Sequence, residues 1–532
     1  MPSMVPRSIL VSIAVALVLT PALAADRQVV VAVGADVESF NEYVTSSTLA
    51  LDIAGQLFIG LMEELPTPPR TPPAFGPRLA RSWTVAPDGL SVSFVLRDDV
   101  LWSDGRPTTA EDVRYTWQVQ TDPALGWADA DIKSNIRDVR VDGPHQVTFL
   151  LKTAGQHTLL DINEGHIIPK HAWSTIPVSE WLRTDFSMKL VTNGPFRLAS
   201  WKPAQAIALE RNPGYYEKGQ PGLDRVLFRI VPDPHIRLQQ LLAGETDVLE
   251  TVAPESVGRI TDEASLRIVR IDQRMFTYVC WNMRRSLFRD ARVRRALTMA
   301  LDRDAILQSL AGGMGRPSAG PIVSSLWAAD DTIRPLPLDR AAARRLLDES
   351  GWKDGDGDGV REKDGRTFSF DIEFNRGNTL REKIALNAAA QLLEVGIRAV
   401  PRAVEWAAFQ SKHSEGDFDA FVGSRIASTR VNLDSWTTGS PRNNAGYSSP
   451  GFDALNAKAL AAVSMEEARP VWMQAQRLIA EDQPVTFLFE QDRLYAVRRS
   501  IDGIDEGSLG LFEGLRKWSL RSDARPSREA AH

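Results

Sequence analysis

Asp354, Asp356, Asp358 and Gly359 form a D-x-D-x-D-G run, the opening of a calcium loop in which carboxylate oxygens ligate at alternating positions. The twelfth position, where a bidentate Glu closes such a loop, holds Gly365, so the run reads as a Gly-Asp turn between a helix and a strand. His166 and His171 stand near one another, but Pro169 between them breaks any helix that would align their rings. No Cys or carboxylate joins them at ligand spacing, and they read as loop histidines. Cys280 is the single cysteine, so no disulfide forms within the chain. It sits in the strand-like run Phe276 to Trp281 and reads as a small buried apolar residue. Ser318, in Gly315-Arg316-Pro317-Ser318-Ala319-Gly320, lacks the spacing of a nucleophile elbow. No P-loop, H-E-x-x-H or G-x-G-x-x-G opening a helix is present. Catalysis is therefore not indicated, no cofactor is implied, and a secreted hydrolase stands only as a remote alternative.

Binding chemistry is better represented. A guanidinium in a closed cleft favours a carboxylate or phosphate, because its planar fork donates paired hydrogen bonds. Arg425 and Arg430 offer this, which points to a ligand with an anionic end; both facing solvent is the competing reading. Trp406, Trp436 and Tyr447 could wall a site with large contact area at low rotamer entropy, or fill the core.

The elements that would position these residues are legible from pattern. Pro87-Asp88-Gly89 is a turn, after which Val92, Phe94 and Leu96 alternate as a strand. Thr108 with Glu111 predicts a capping box that starts a helix bearing Val113 and Trp117. Val139 to Leu151 predicts a strand pair turning at Asp142-Gly143-Pro144, and Pro66 to Pro77 a Pro-rich surface loop. Asn193-Gly194-Pro195-Phe196 opens a new section of hairpin, strand and helix, with Asp233 as N-cap and Pro234 at the first helical position. Beyond Arg270, a strand from Met275 leads into a helix whose face is Val293, Ala296, Leu297, Ala300 and Leu301, with its arginines outward. Helix and strand then alternate to about Val422, as in an α/β lobe with a mixed sheet.

With 532 residues, two or three lobes are expected, and 43% hydrophobic residues supply their cores. The formal net charge of −6 argues against nucleic acid or an anionic membrane as partner. Met1 to Ala25 reads as a secretory signal (residues 1–24 removed), with Arg7 before an apolar Ile9–Leu19 stretch too short to span a bilayer and Ala22-Leu23-Ala24 at the cleavage site. No cysteine adjoins that site, so a soluble periplasmic protein without a lipid anchor is expected.

Three long segments resemble the extracytoplasmic solute-binding proteins of family 5, the peptide- and nickel-type receptors of ABC transporters. They are LRDDVLWSDGRPTTAEDV within Leu79–Trp117; GPFRLASWKPAQAIALERNPGYY through DRVLFRIVPDPHIRLQQLLAGETDV; and VRRALTMALDRDAI with AARRLLDESGW. The resemblance implies a two-lobed α/β periplasmic binding protein of type II, with mixed sheets flanked by helices and an extra subdomain. Lobe I would comprise residues 25–50, 165–269 and 491–532, its subdomain 51–164, and lobe II 270–490. It implies capture of a peptide or peptide-like solute by a monomer that closes by hinge motion and docks on a permease with a cytoplasmic ATPase. Peptide-binding members place an Asp against the ligand amine shortly after a Gly-Trp; here Gly423 is followed by Ser424, and Asp434 is the nearest substitute. By the same resemblance, Glu38, Ser39, Phe40 and Asn41, the loop with Ser428 and Thr429, and Trp406, Trp436 and Tyr447 would line the cleft. A non-peptide anionic solute, of opine, sugar-acid or metal-chelate type, is the alternative ligand.

Overall fold

The computed structural model describes residues 27–507 and 510–521. The secretory leader expected at the N-terminus lies outside these residues. Among the described residues, no helix is long and apolar enough to cross a membrane.

An 11-stranded mixed sheet runs through the molecule. At one end Arg398–Val404, Ser369–Asn375 and Ala420–Ile426 lie parallel. At the other, Gln28–Val33 pairs in parallel with Arg225–Ile230, followed by antiparallel Ala206–Arg211 and Phe196–Lys202. Two long antiparallel strands, Leu266–Trp281 and Val485–Arg498, join the ends. Their burial explains the near-continuous apolar runs. Val269 and Ile271 enter one core with Tyr495 and Val497, whereas Phe276, Tyr278 and Cys280 enter another with Val485 and Phe487. Two cores thus lie on either side of a charged midpoint, Asp272–Arg274 on one strand and Glu490–Asp492 on the other. The ladder slips there, between Asp272 and Met275, leaving Gln273 and Arg274 as a bulge. The strand begins nine residues before Met275, so the boundary read near Arg270 falls inside one continuous element.

The Leu79–Trp117 run supplies the strands Ala80–Val85 and Ser91–Leu96 of an antiparallel sheet completed by Gln146–Leu151 and Ile136–Gly143, and most of the helix Ala110–Gln120 that packs on it. Val92, Phe94 and Leu96 are buried as their alternation requires. The capping box sits one residue later than expected. The Thr109 N–H and hydroxyl donate to the Asp112 carboxylate at 2.8 and 3.2 Å. Thr108 is buried, its hydroxyl accepting from Asn193 Nδ2, and Glu111 is free to pair with Lys170. This sheet shares one hydrophobic core with the Gln28–Val33 region.

One expectation about the Val293–Leu301 helix is overturned. Arg294 does not face outward; it is 4% exposed and donates to the carbonyls of Asp482, Gln483, Phe288 and Arg289. A guanidinium has enough donors to collect orphan carbonyls at the end of helix Met465–Asp482, which an apolar residue could not do. The Asp354–Gly359 run is a self-capped turn: Asp354 accepts from the N–H groups of Gly357 and Gly359, at 2.7 and 3.1 Å.

Candidate functional site

Two cavities meet at Glu64. The first, about 760 Å³, lies where the two cores adjoin. Its walls are the loop Thr67–Pro73, the midpoint residues Arg270, Asp272 and Arg274, and the stretch from Arg316 to Pro335 on the far side. The second, about 780 Å³, is formed by residues packed on the first core, among them Tyr43, Asp52, Trp127 and His166. Each is within the size range of small-molecule and cofactor sites.

The wall formed by the crossing strands is built around Arg316. This residue lies on the short strand Gly315–Pro317, which adds to Val485–Arg498 at Gln491–Phe489. Its guanidinium meets Asp272 at 2.8 Å and Glu490 at 2.7 Å, tying both crossing strands. Glu490 is also gripped by the Ser324 N–H and hydroxyl, at 2.9 and 2.6 Å. Burial nevertheless pushes its carboxyl up, the Ser324 and Arg316 contacts only opposing the rise. Gly315, at φ +146°, has no room for a Cβ, which would stand 2.1 Å from the Glu490 carbonyl oxygen.

Charged and neutral contacts also bridge the two sides away from the crossing strands. Arg430 Nε donates to Asp161 at 2.8 Å and Nη2 reaches Glu164 at 2.7 Å. Arg70 pairs with Asp331 at 2.9 Å, and its N–H donates to the Ser325 carbonyl. Gln156 Nε2 donates to the Ala459 carbonyl at 2.7 Å.

The second cavity is rich in carboxylates. Burial and the neighbouring Glu513 push the Asp52 carboxyl up to about 8. Glu42 instead pairs with His166, Oε2 to Nδ1 at 2.6 Å, and its Oε1 accepts the His166 N–H. Burial pulls the His166 imidazole down, but the Glu42 carboxylate more than offsets this and holds it above its ordinary value. His166 and His171 are thus carboxylate partners, the latter bonding Asp104 at 2.8 Å.

The residues expected in the cleft are mostly elsewhere. Of the twelve, only Thr429 lines either cavity. Phe40 is 1% exposed and packs edge-on against Trp201. Asn41 is buried and caps Glu42–Val44, Ser39 accepts the Asn41 N–H, and Glu38 accepts from the Thr45 hydroxyl. Trp436 and Tyr447 lie inside a core, the Tyr447 hydroxyl bonding Asp482 at 2.6 Å. Trp406 starts helix Trp406–Glu415 on the surface, stacked on Phe409. Arg425 donates to Ser435 Oγ and sits over the Trp436 ring, and Arg430 is spent on the bridge to Asp161 and Glu164. Arg430 keeps no free fork for a ligand anion, which corrects that expectation for it, and Arg425 lines neither cavity. Ser428 accepts the Arg430 N–H, and Asp434 accepts from Asn432 and Asn456.

The wall that sequence reasoning missed carried one signal. Arg270, Asp272 and Arg274 cluster three charges within five residues of the strand, ahead of its apolar end Met275–Trp281. The stretch Pro66–Pro77 was legible only as a surface loop, because nothing local says which surface it covers; its last residues, Ala74–Pro77, instead form a strand paired with Met62–Leu65.

Two cores joined by a pair of crossing strands, with a cavity at the crossing, define a two-lobed binding protein. The model for bacterial extracellular solute-binding proteins, family 5, middle region, matches residues 74–445, and the chain belongs to that family. It is 30% identical over 452 residues to the oligopeptide-binding protein AppA of Bacillus subtilis (strain 168), covering 83% of each chain. The structure of that protein in complex with a nonapeptide superposes with a TM-score of 0.75 at 28% identity, covering 94% of this chain and 99% of the other. NikZ from Campylobacter jejuni, solved with Ni(L-His), shares the fold at a TM-score of 0.75 and 21% identity, covering 93% and 99%.

Proposed function

We propose that this chain is the periplasmic receptor of an ABC importer, which captures a peptide between its lobes and presents the closed form to a membrane permease driven by a cytoplasmic ATPase. The observation that carries the reading is the cavity of about 760 Å³ set at the crossing of the two strands. Its walls come from both sides of the hinge, so a solute inside is contacted by both lobes only when they close, which links occupancy to shape. The kinship with an oligopeptide-binding relative supplies the solute class. The lobes would turn about Asp272–Arg274 and Glu490–Asp492, and ligand would meet Glu64, the hinge wall and Thr429. The protein works as a monomer, without catalysis, after removal of its leader.

A titration tests this. Purified protein is mixed with pooled peptides of two to nine residues while small-angle scattering and calorimetry are followed. Saturable binding of one peptide per chain, with a fall in radius of gyration, is expected. Binding by no pool would end the peptide assignment.

A further inference from the structure

Because the two cavities meet at Glu64, a chain lying in the first can send a side chain into the second. Some carboxylates of the second cavity are already neutralised. Glu42 pairs with His166 at 2.6 Å, Glu63 with Arg516 at 2.6 Å and Glu164 with Arg430 at 2.7 Å, and Asp505 accepts the Gly507 N–H at 2.9 Å. Among the described residues, Asp52, Asp129 and Glu513 line the same cavity with no Lys, Arg or His nitrogen within 4.0 Å. The remaining cations of the lining lie elsewhere on its wall. Lys517 stands 4.0 Å from Glu63, and Arg78 acts on Glu63 and His166 but not on Asp52 or Asp129.

These carboxyls sit in poor surroundings for a negative charge. Burial raises Asp52, Glu64 and Asp129 alike; Glu513 adds to the rise of the first two, and Glu164 and Asp131 to that of the third. Arg493, which opposes the rise at Asp52, is already held by Glu250 at 2.7 Å. A cation entering the cavity therefore relieves repulsion that the protein leaves in place. The rest of the wall suits the stem of a long cationic side chain. Trp127 stands edge-on to Tyr43, ring centroids 5.4 Å apart, and Leu51, Met62 and Leu125 line the same space. Such surfaces take methylenes and the face of a cation while carboxylates meet its head.

We propose that the second cavity is a side-chain pocket that selects peptides carrying arginine or lysine, with Asp52, Asp129 and Glu513 as the carboxylates for the cationic head and Trp127 with Tyr43 as the wall for its stem. This rests on the peptide reading above and narrows it from peptides in general to basic ones. The selecting charge belongs to a side chain, so the discrimination does not depend on the peptide's ends. A cation arriving beside Asp52 also draws off the proton that burial holds there, so binding releases acid near neutral pH.

The test compares pooled penta- to nonapeptides containing one arginine with the same pools in which citrulline, its uncharged isostere, replaces it, by competition calorimetry. All peptides have free ends, so only the side-chain charge differs. One charge-assisted contact predicts that the wild type prefers the arginine pools by about 10- to 100-fold. Glu513→Gln and Asp52→Asn should each cut this preference by about three- to tenfold, and the double variant should bring it close to unity. The dependence of the binding heat on buffer ionisation should show proton release in the wild type and none in Asp52→Asn. Thermal melts confirm that each variant is folded, and if one single variant unfolds the other carries the comparison. Equal affinity of the wild type for both pools, or an undiminished preference in the folded variants, overturns the assignment while leaving the peptide reading intact. Binding of neither pool removes both.

Discussion

Arg430 is the contact whose removal should separate closure from folding. Its guanidinium crosses from the loop after Ala420–Ile426 to Asp161, Glu164 and the Leu160 carbonyl. Arg430 and Asp161 are each 18% exposed, so that arm keeps most of the value of a charge-assisted hydrogen bond, about 1.5–3 kcal/mol. Glu164 is 35% exposed, which discounts its arm toward the surface range of about 0–1 kcal/mol. Arg430→Ala should therefore destabilise the closed form by about 2–4 kcal/mol, or about 30- to 1,000-fold in the closed-to-open ratio. In the open form these groups are hydrated, so the loss falls on closure. Peptide affinity should weaken by up to that factor, chiefly through faster dissociation, because each opening now occurs more often. Calorimetry gives the affinity, stopped-flow tryptophan fluorescence the dissociation rate, and a urea melt of free protein the control. Asp161→Asn should act in the same direction, and the two changes should not add. Affinity and dissociation rate within twofold of wild type in Arg430→Ala would refute the reasoning.

Three further outcomes follow from the scaffold. The His166–Glu42 pair makes stability depend on pH: the raised imidazole contributes below its ordinary value of 6.5 and loses this as pH rises through its higher folded value, while the lowered carboxylate contributes above 4.5 and loses this as pH falls through its lower folded value. The drop in melting temperature caused by His166→Asn should be largest between about pH 4.5 and 6.5 and shrink as pH rises through the higher folded value of the imidazole; a pH-independent drop would contradict this. Arg294→Met should cost about 3 kcal/mol or more in urea unfolding, because it strands buried carbonyls. Gly194→Ala should cost about 1–3 kcal/mol, since its Cβ would stand 2.4 Å from the Gln56 carbonyl oxygen, whereas Gly143→Ala, with nothing within 4 Å, should be close to neutral.

The contrast between Leu79–Trp117 and the cleft shows what a sequence exposes. Alternation in Val92, Phe94 and Leu96 reports burial directly, because each side chain's fate is set by its own strand. The Thr109–Asp112 cap was read one residue early, since both Thr108 and Thr109 suit an N-cap and only the distant Asn193 decides between them. Arg294 was misplaced for a similar reason: two of its four acceptors belong to a helix end almost 190 residues away. The cleft is harder still. Aromatic residues such as Trp436 and Tyr447 look alike in a site and in a core, and the structure puts both in the core. Arg425 and Arg430 carry the right chemistry, but whether a guanidinium is free depends on carboxylates that approach from other segments. Arg274 was legible only as one of three charges clustered within five residues of a strand.

The central claim, a peptide held between the lobes, is tested most directly by what the protein carries. Native mass spectrometry of the chain, purified from its native cells without denaturation, should show added masses that dissociate on activation. Tandem fragmentation should read these as short peptides. A homogeneous non-peptide mass, such as a metal chelate or sugar acid, would contradict the account.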